Sequence, residues 1–207
     1  MKPSKMGRPR SFDATQALDR ALEVFWRRGY EGASLSELTE AMGITRPSLY
    51  AAYGNKEELF RKALDRYEEL GAPMFLALDQ PVAREAIARS LKDSVTLMCS
   101  DSLHRGCLFV RGALVCSQEG DVVRDELACR RKRGEGVLRD RLTRAKEEGE
   151  LPVDADTEVL ARYFTTVLNG ISVQAAGGAK VGDLLKVAEA AMAVWPEDVS
   201  LHSPSRL

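Results

Sequence analysis

The sequence has few of the residues on which catalytic and metal sites depend. Its only histidines are His104 and His202 among 207 residues, and C-x-x-C, H-E-x-x-H, G-x-S-x-G, P-loop and dinucleotide-binding motifs are all missing. Asp101, Ser102 and His104 are too close in the chain to form a catalytic triad without an unusual loop. We therefore expect no catalysis, no cofactor and no metal ion.

Long apolar runs and an excess of charge of either sign are also missing. No apolar segment approaches the roughly 18 residues of a membrane-spanning helix, and the basic N-terminus is not followed by the apolar region of a secretory signal. We expect a cytoplasmic protein with reduced cysteines and no membrane partner. The 30 basic and 31 acidic residues leave a net charge of −1, and 44% of the residues are hydrophobic. This composition is typical of a folded protein with its own core.

The small basic excess lies at the N-terminal end of the chain. Residues 1–56 contain nine lysines or arginines and six acidic residues, a net charge of +3, whereas the rest contains 21 and 25, a net charge of −4. The first ten residues hold four of these basic side chains and no acid. We therefore expect only the N-terminal part to contact phosphate groups.

Helical periodicity runs along nearly the whole chain and predicts an all-α fold. Asp13 is a candidate N-cap for the first helix, which should stop at Gly29, and Ser34, Thr45 and Asn55 are candidate caps for the next three helices. The predicted fourth helix covers 56–70, a connection covers 71–81, and later helices cover about 82–100, 106–118, 121–148, 156–176 and 181–195. The last two, separated by two glycines, should pack as a hairpin.

The segment SLSELTEAMGITRPSLYAAYGNK, residues 34–56, carries the most specific signal. Two short helices flank a tight turn at Gly43, where glycine supplies the left-handed backbone that such a turn needs. This is the pattern of a helix-turn-helix. The second helix presents hydroxyl groups, an arginine and a phenol on one side, and these groups bind phosphates and base edges in the major groove. The alternative is a three-helix packing unit with a polar outer face.

This part of the chain resembles the DNA-binding domain of the TetR/AcrR family of bacterial transcription regulators. The resemblance rests on GRPRSFD followed by ALEVFWRRGYEGASLSELTEAMGITRPSLYAAYGNKEELF, which contain the patterns FxxxGYxxxS and LYxxYxxKxxL. The C-terminal segment DADTEVLARYFTTVLNGISVQAAGGAKVGDLLKVAEAAMAVWP resembles the last two helices of a subgroup of that family. It implies a helix-turn-helix domain at 9–69 and a ligand-binding and dimerisation domain at 70–207.

The resemblance further implies a homodimeric repressor that binds double-stranded operator DNA and is released by a small-molecule effector. The fourth helix would couple the effector domain to the DNA-binding domain. Two alternatives stay open from the sequence: an activator of the same family, and a protein-interaction module that uses the fold without DNA.

Position by position, the resemblance assigns DNA contacts to the second helix of the motif, to the start of the fourth helix and to the basic arm before the first helix. The residues are Arg8, Arg10, Thr45, Arg46, Pro47, Ser48, Tyr50 and Lys56. Pro47 and Ala52 differ from residues common at these positions, so the operator sequence is not implied. The run Arg130–Arg133 is also basic, but acidic residues on the same helix predict a solvated, paired face.

The last two helices are predicted to dimerise as a four-helix bundle, although part of their apolar stripe must pack within one chain. The predicted interface residues are Leu168, Ile171, Ala175, Ala188, Ala191, Met192 and Trp195. An effector pocket is expected among the helices predicted at 82–100, 106–118 and 156–176. Its candidate wall residues are Met98, Phe109 and Phe164, with core packing as the alternative role.

Cys107 is a candidate thiol sensor whose modification would release DNA. His104 and Arg105 precede it, and Gly106 places it near a helix start, which are features that favour a reactive thiolate. The competing interpretation for each of the four cysteines is a small buried hydrophobic residue. Cys99, His104 and Cys107 could also form a soft site for Cu(I), but their spacing is not diagnostic.

Overall fold

A computed structural model describes residues 12–100, 105–111 and 121–196, without the side chains of 72–75. The predicted contacts Arg8 and Arg10, as well as His104, lie outside the described residues. Within these ranges the chain is helical and contains no strand, which confirms the all-α prediction. The chain divides into two compact units, residues 1–69 and 70–207, called unit 1 and unit 2 below.

Helices of unit 1 begin and end close to the predicted residues. Its helices are α1 (Ala14–Gly32), α2 (Leu35–Met42), α3 (Arg46–Tyr53) and the first part of α4 (Lys56–Leu76). The helices that follow are α5 (Ala83–Cys99), α6 (Leu108–Arg111), α7 (Asp121–Glu147), α8 (Thr157–Ala176) and α9 (Val181–Ala191). Short 3₁₀ turns follow α4 at Ala77–Asp79 and α9 at Met192–Val194.

The predicted N-caps of unit 1 are confirmed. The Asp13 carboxylate accepts hydrogen bonds from two backbone N–H groups in the first turn of α1. Ser34 Oγ accepts from the backbone N–H of Glu37 at 3.1 Å. Asn55 and Glu58 each accept the other's backbone N–H at 2.9 Å, which completes a reciprocal capping box at the start of α4.

Aromatic and leucine side chains fill the core of unit 1. The rings of Phe25 on α1 and Phe60 on α4 meet edge to face with centroids 4.8 Å apart, and Leu38 on α2 and Leu49 on α3 are fully buried. Each of the four helices therefore contributes to one core, and the orientation of α3 is fixed by the side chain that it buries.

The first helix does not simply stop at Gly29. Gly29 has φ +71° and ψ 175°, so the backbone leaves the helix there, and a last short turn continues to Gly32. A residue with a Cβ is strained at such a φ, whereas glycine is not. The predicted break is therefore present as a kink, and it changes the direction of the chain before Tyr30.

The predicted end of the fourth helix at residue 70 is wrong. Helix α4 continues through Gly71 and Pro73 to Leu76. A glycine costs only about 1 kcal/mol in a helix interior, and a proline there removes one backbone hydrogen bond. The turn that follows buries Ala77 and Leu78 in unit 2, and the burial of these side chains favours the longer helix.

A buried arginine ties this turn to the rest of unit 2. Arg141 on α7 donates to the carbonyl groups of Leu78, Gln80 and Pro81 at 3.0 to 3.1 Å and to the carboxylate of Glu150 at 3.2 Å. The same carboxylate accepts the backbone N–H at the start of α5 at 2.5 Å. Charge-assisted bonds therefore fix the ends of three elements against each other.

The core of unit 2 contains most of the residues that were predicted to form the dimer interface. Six of the seven are less than 10% exposed within a single chain, and Leu168 is partly buried against the same core. The six are Ile171, Ala175, Ala188, Ala191, Met192 and Trp195. A side chain already buried in one chain has almost no surface left to give to a second chain.

Helix α9 is also shorter than the predicted 181–195, because the chain passes into a 3₁₀ turn at Met192–Val194. The residue before a proline favours extended backbone, and Trp195 precedes Pro196. Trp195 accordingly has φ −58° and ψ 121°. Of the helix predicted at 106–118, Leu108–Arg111 forms α6, and residues 112–118 lie outside the described part of the chain, so the rest of that helix stays a prediction. None of the described helices combines the length and apolar composition that are needed to cross a membrane.

Candidate nucleic-acid interface

The turn between α2 and α3 sets the position of the candidate interface. Gly43 lies in the left-handed region at φ 67° and ψ 31°. Its N–H donates to the carbonyl of Glu40, and the N–H of Ile44 donates to that of Thr39, both at 3.1 Å. These bonds satisfy the end of α2 and allow α3 to begin two residues later.

Hydroxyl groups organise the first turn of α3. Thr45 Oγ1 accepts the backbone N–H of Ser48 at 3.3 Å and lies 2.9 Å from the Ser48 hydroxyl. Pro47 lies in this turn, where its missing N–H costs little. Arg46 Nη2 donates to Ser36 Oγ on α2 at 2.8 Å, so the guanidinium group is held beside the first turn of α2.

Helix α3 has one face in the core and one face in solvent. Leu49 and Tyr53 are 0% and 6% exposed, and the Tyr53 hydroxyl donates to the Ala14 carbonyl at 2.7 Å. Thr45, Arg46, Pro47 and Tyr50 are exposed, and Ser48 is half-buried. The half-buried Ala52 leaves the exposed face without a polar group at that position. The predicted contact residues of α3 therefore lie together on an accessible, polar surface.

An open groove of about 580 Å³ lies along this surface. It is lined by Phe12, Ser36, Thr39, Glu40, Gly43, Ile44, Thr45 and Ser48. Phe12 is the first described residue, and its ring lies 6.4 Å from that of Tyr53.

Lys56 occupies the N-terminus of α4, the second predicted contact region. Its Nζ lies 4.6 Å from the centroid of the Tyr30 ring. Desolvation by burial lowers the pKa of Lys56, and the nearby carboxylate of Glu31 opposes that shift. Burial also raises the pKa of the Tyr30 phenol. A half-buried ammonium at the positive end of a helix is suited to bind an anion such as a backbone phosphate.

Two residues of this surface were missed in the sequence. Ser36 holds the predicted base-contacting arginine, and Tyr30 holds the predicted phosphate-contacting lysine. Tyr30 does stand in the FxxxGYxxxS pattern, but its contact with Lys56 joins residues 26 positions apart and depends on tertiary packing. The Ser36–Arg46 contact likewise depends on the angle between two helices.

The candidate pocket residues of unit 2 lie in or near its core. Met98 is 8% exposed and Phe164 is fully buried, and both belong to one hydrophobic cluster. Phe109 is half-buried, and its carbonyl accepts a hydrogen bond from Arg131 at 2.6 Å. These contacts are those of core packing, and an effector pocket at this place stays a prediction.

Cys107 lies at the start of the short helix α6 and is half-buried. Its backbone N–H donates to Ser172 Oγ on α8 at 2.7 Å, and its carbonyl accepts from the N–H groups of Val110 and Arg111. Gly106 before it has φ +84°, and a Cβ there would lie 2.8 Å from the Ser172 carbonyl oxygen. The segment is therefore packed tightly against α8, and a reactive thiol at this position stays a prediction.

The second basic run is only partly the solvated, paired face that was predicted. Arg130 is 8% exposed and forms an ion pair with Glu126 at 2.7 Å, and Arg131 donates to the carbonyl of Phe109. Part of this run therefore stabilises α7 and its neighbour, so its charge is not all available to a polyanion.

The chain matches two family models. One, described as "Bacterial regulatory proteins, tetR family", covers residues 17–63, and the other, "Tetracyclin repressor-like, C-terminal domain", covers residues 81–179. Among curated proteins, the HTH-type transcriptional repressor ComR of Escherichia coli (strain K12) is 32% identical over 194 residues, which is 92% of each chain. The repressor BdcR of the same organism is 29% identical over 90% of each chain.

Solved structures of TetR regulators are also similar to this chain. A cysteine-substituted form of the TetR family transcriptional regulator CifR, complexed with 26-bp double-strand operator DNA, is 48% identical to this chain. The match covers 91% of this chain and all of that one, with a TM-score of 0.88. A protein from Rhodococcus sp. RHA1, named "Putative TetR transcriptional regulator", is 38% identical over 90% of this chain and all of that one, with a TM-score of 0.61.

Proposed function

Because the chain belongs to the TetR family of bacterial transcription regulators, we propose that it is a repressor that binds double-stranded operator DNA as a homodimer. A small-molecule effector bound by unit 2 releases it. The observation that carries the proposal is the outer face of α3, where Thr45, Arg46 and Tyr50 are exposed while Leu49 is buried in the core.

The chemistry of this face suits a DNA duplex. Arg46 can donate two hydrogen bonds to the O6 and N7 of guanine, which is the commonest specific contact in the major groove. Thr45 and Ser48 hydroxyls, the Tyr50 phenol and the Lys56 ammonium are groups that bind phosphate oxygens and fix the register. The net charge of +3 over residues 1–56 favours the approach of DNA to this unit.

The relatives favour a repressor over an activator. ComR, which is matched along almost the whole chain, carries the name of a repressor, as does BdcR. An activator, FasR of Mycolicibacterium smegmatis, is 37% identical over 59 residues, only 28% of this chain. A protein-interaction module without DNA binding would not need the capped, polar face of α3.

The dimer forms through the outer faces of α8 and α9 rather than through the stripe predicted from the sequence. On α8 the exposed valines Val159 and Val173 share one side with Gly170, whose missing side chain permits close approach. Val187 on α9 and Val194 in the 3₁₀ turn that follows α9 are 48% and 41% exposed. Two such apolar faces, buried against their copies, form a four-helix bundle.

A dimer also suits the geometry of the operator. Two recognition helices contact successive major-groove half-sites of B-DNA when they lie about 34–36 Å apart. An effector that binds one arrangement of the subunits better than the other shifts the population away from this spacing. Helix α4 follows the capping box at Asn55 in unit 1, and its last residues, up to Leu76, belong to unit 2, so it is the segment of the chain that leads from one unit into the other.

A binding experiment with matched variants tests the proposal. The affinity of the protein for the DNA upstream of its own gene is measured by fluorescence anisotropy over a range of salt concentrations. We expect the logarithm of the binding constant to fall linearly with the logarithm of salt concentration, and Lys56→Ala to reduce this slope by about one unit. The control Lys92→Ala removes an exposed charge from α5 and should leave the slope unchanged. Equal slopes for both variants would contradict the phosphate contact, and affinity without salt dependence would contradict DNA binding itself.

A further inference from the structure

We propose that Tyr30 is a positioning residue for DNA binding, because its ring holds the Lys56 ammonium at the N-terminus of α4 in the place where a backbone phosphate binds. This inference rests on the proposed DNA-binding function. It assigns a role to the tyrosine of the FxxxGYxxxS segment, and it predicts that part of the operator affinity depends on an aromatic face that does not itself bind DNA.

The ring of Tyr30 is fixed in place by the core. The kink at Gly29 turns the chain so that Tyr30 packs against Phe60, with centroids 5.1 Å apart, and against Phe25, with centroids 6.4 Å apart. Phe25 and Phe60 are themselves no more than 1% exposed. The ring therefore has little freedom to move, and its position relative to α4 is set by the same contacts that hold unit 1 together.

Lys56 lies at the distance expected for a cation–π contact. Its Nζ is 4.6 Å from the ring centroid, within the roughly 6 Å over which the negative face of an aromatic ring attracts a cation. A lysine side chain that moves freely on a protein surface loses rotamer entropy when it binds a phosphate. Because the Tyr30 ring already restricts the Lys56 side chain, a smaller loss accompanies binding.

A neutral ring holds the lysine without cancelling its charge. The carboxylates in the first turn of α4 have other partners: Glu57 pairs with Arg61 at 2.7 Å, and Glu58 accepts the backbone N–H of Asn55. Within the described residues, none of the salt bridges of unit 1 uses Lys56. The Glu31 carboxylate is near enough to raise the pKa of Lys56, but among the described residues the ammonium forms no salt bridge with it, so the charge of the ammonium still attracts a phosphate.

Tyr30→Leu tests the proposal against a matched control, Tyr67→Leu. Tyr67 packs against Trp26 in the same unit, with centroids 4.8 Å apart, so this control removes a buried ring that does not contact Lys56. Operator affinity is measured at a temperature at which circular dichroism shows both variants folded. We expect Tyr30→Leu to weaken binding about two- to fivefold, the range that a partly exposed cation–π contact supplies, and Tyr67→Leu to leave it unchanged.

A double-mutant cycle adds a second readout if Tyr30→Leu folds, and a fluorinated series keeps the test decisive if it does not. Lys56→Ala should weaken binding less in the Tyr30→Leu background than in the wild type. Phenylalanine with an increasing number of ring fluorines at position 30, with Tyr30→Phe as reference, keeps the shape of the ring and removes its negative face. The dissociation constant should rise with each fluorine, and the same series at position 67 should be flat.

The possible failures are distinct. An unchanged affinity along the fluorinated series, or an equal effect of Lys56→Ala in both backgrounds, would overturn the role of Tyr30 while DNA binding stands. Equal weakening by Tyr30→Leu and Tyr67→Leu would reduce Tyr30 to a core residue. A wild-type protein that binds no duplex with salt-dependent affinity would overturn the proposed function and this inference together.

Discussion

The same substitution at two neighbouring positions of α8 should have opposite consequences. Ile171→Asp places a carboxylate in the core of unit 2, where Ile171 is 2% exposed, whereas Val173→Asp places it on the outer face, where Val173 is 49% exposed. We expect Ile171→Asp to unfold the protein and Val173→Asp to give a folded monomer. The pair therefore separates the core face of α8 from the face that we assign to the dimer.

The magnitudes follow from burial. Truncating a buried isoleucine costs about 2–5 kcal/mol, and burying an unpaired carboxylate adds several more. That sum is comparable with the roughly 5–15 kcal/mol by which a domain is stable. An exposed substitution changes monomer stability by only about 0.5 kcal/mol. In the dimer, however, an uncompensated buried charge costs about 3–5 kcal/mol, which raises the dimer dissociation constant about 100-fold or more.

Sedimentation velocity gives the oligomeric state, and thermal melting followed by circular dichroism gives the stability. Lys186→Asp on the exposed, polar side of α9 is a control for added charge and should remain a folded dimer. A folded Val173→Asp protein that dimerises with wild-type affinity would refute the assigned interface. A stably folded Ile171→Asp protein would refute the burial argument.

Three further substitutions test other contacts. Arg46→Ala should relax the base preference at one operator position and weaken the binding free energy by about 1–3 kcal/mol. If a binding-site selection gave the same base preferences for the variant and the wild type, Arg46 would not be a base-contacting residue. Gly106→Ala should lower the melting temperature, because its Cβ would lie 2.8 Å from the Ser172 carbonyl oxygen at a φ of +84°; an unchanged melt would show that the segment can move. If Cys107 is a thiol sensor, Cys107→Ser should bind the operator normally but ignore diamide, whereas slow alkylation of the native protein would end that hypothesis.

Local signals in the sequence predicted the N-terminal unit well. A cap needs a side chain and a backbone N–H two or three residues away, so Ser34, Thr45 and Asn55 could be identified without tertiary information. Gly43 could be identified in the same way, because a tight turn between two helices needs a left-handed backbone that glycine adopts without strain. The structure has Gly43 at a φ of +67°. The position of the recognition helix and its exposed face were therefore predictable.

Contacts that join distant residues were not predictable. Apolar periodicity shows that α8 has a buried face, but it does not show whether Ile171 is buried by its own chain or by a second one. The contact of Tyr30 with Lys56 depends on the direction of the chain after Gly29. The end of α4 was misplaced because the burial of Leu78, which favours the longer helix, is a property of the folded unit.

The central claim is that the exposed face of α3 determines which DNA the protein binds. The most direct test begins by selecting duplexes from a random pool with the wild-type protein. The affinities for the selected duplex and for random DNA are then measured for the wild type and for the triple variant Thr45→Ala, Arg46→Ala, Tyr50→Ala. We predict a two-fold symmetric site bound at least about 10³ times more tightly than random DNA by the wild type. The variant should remain a folded dimer and lose this preference. A variant that keeps the wild-type preference would contradict the account.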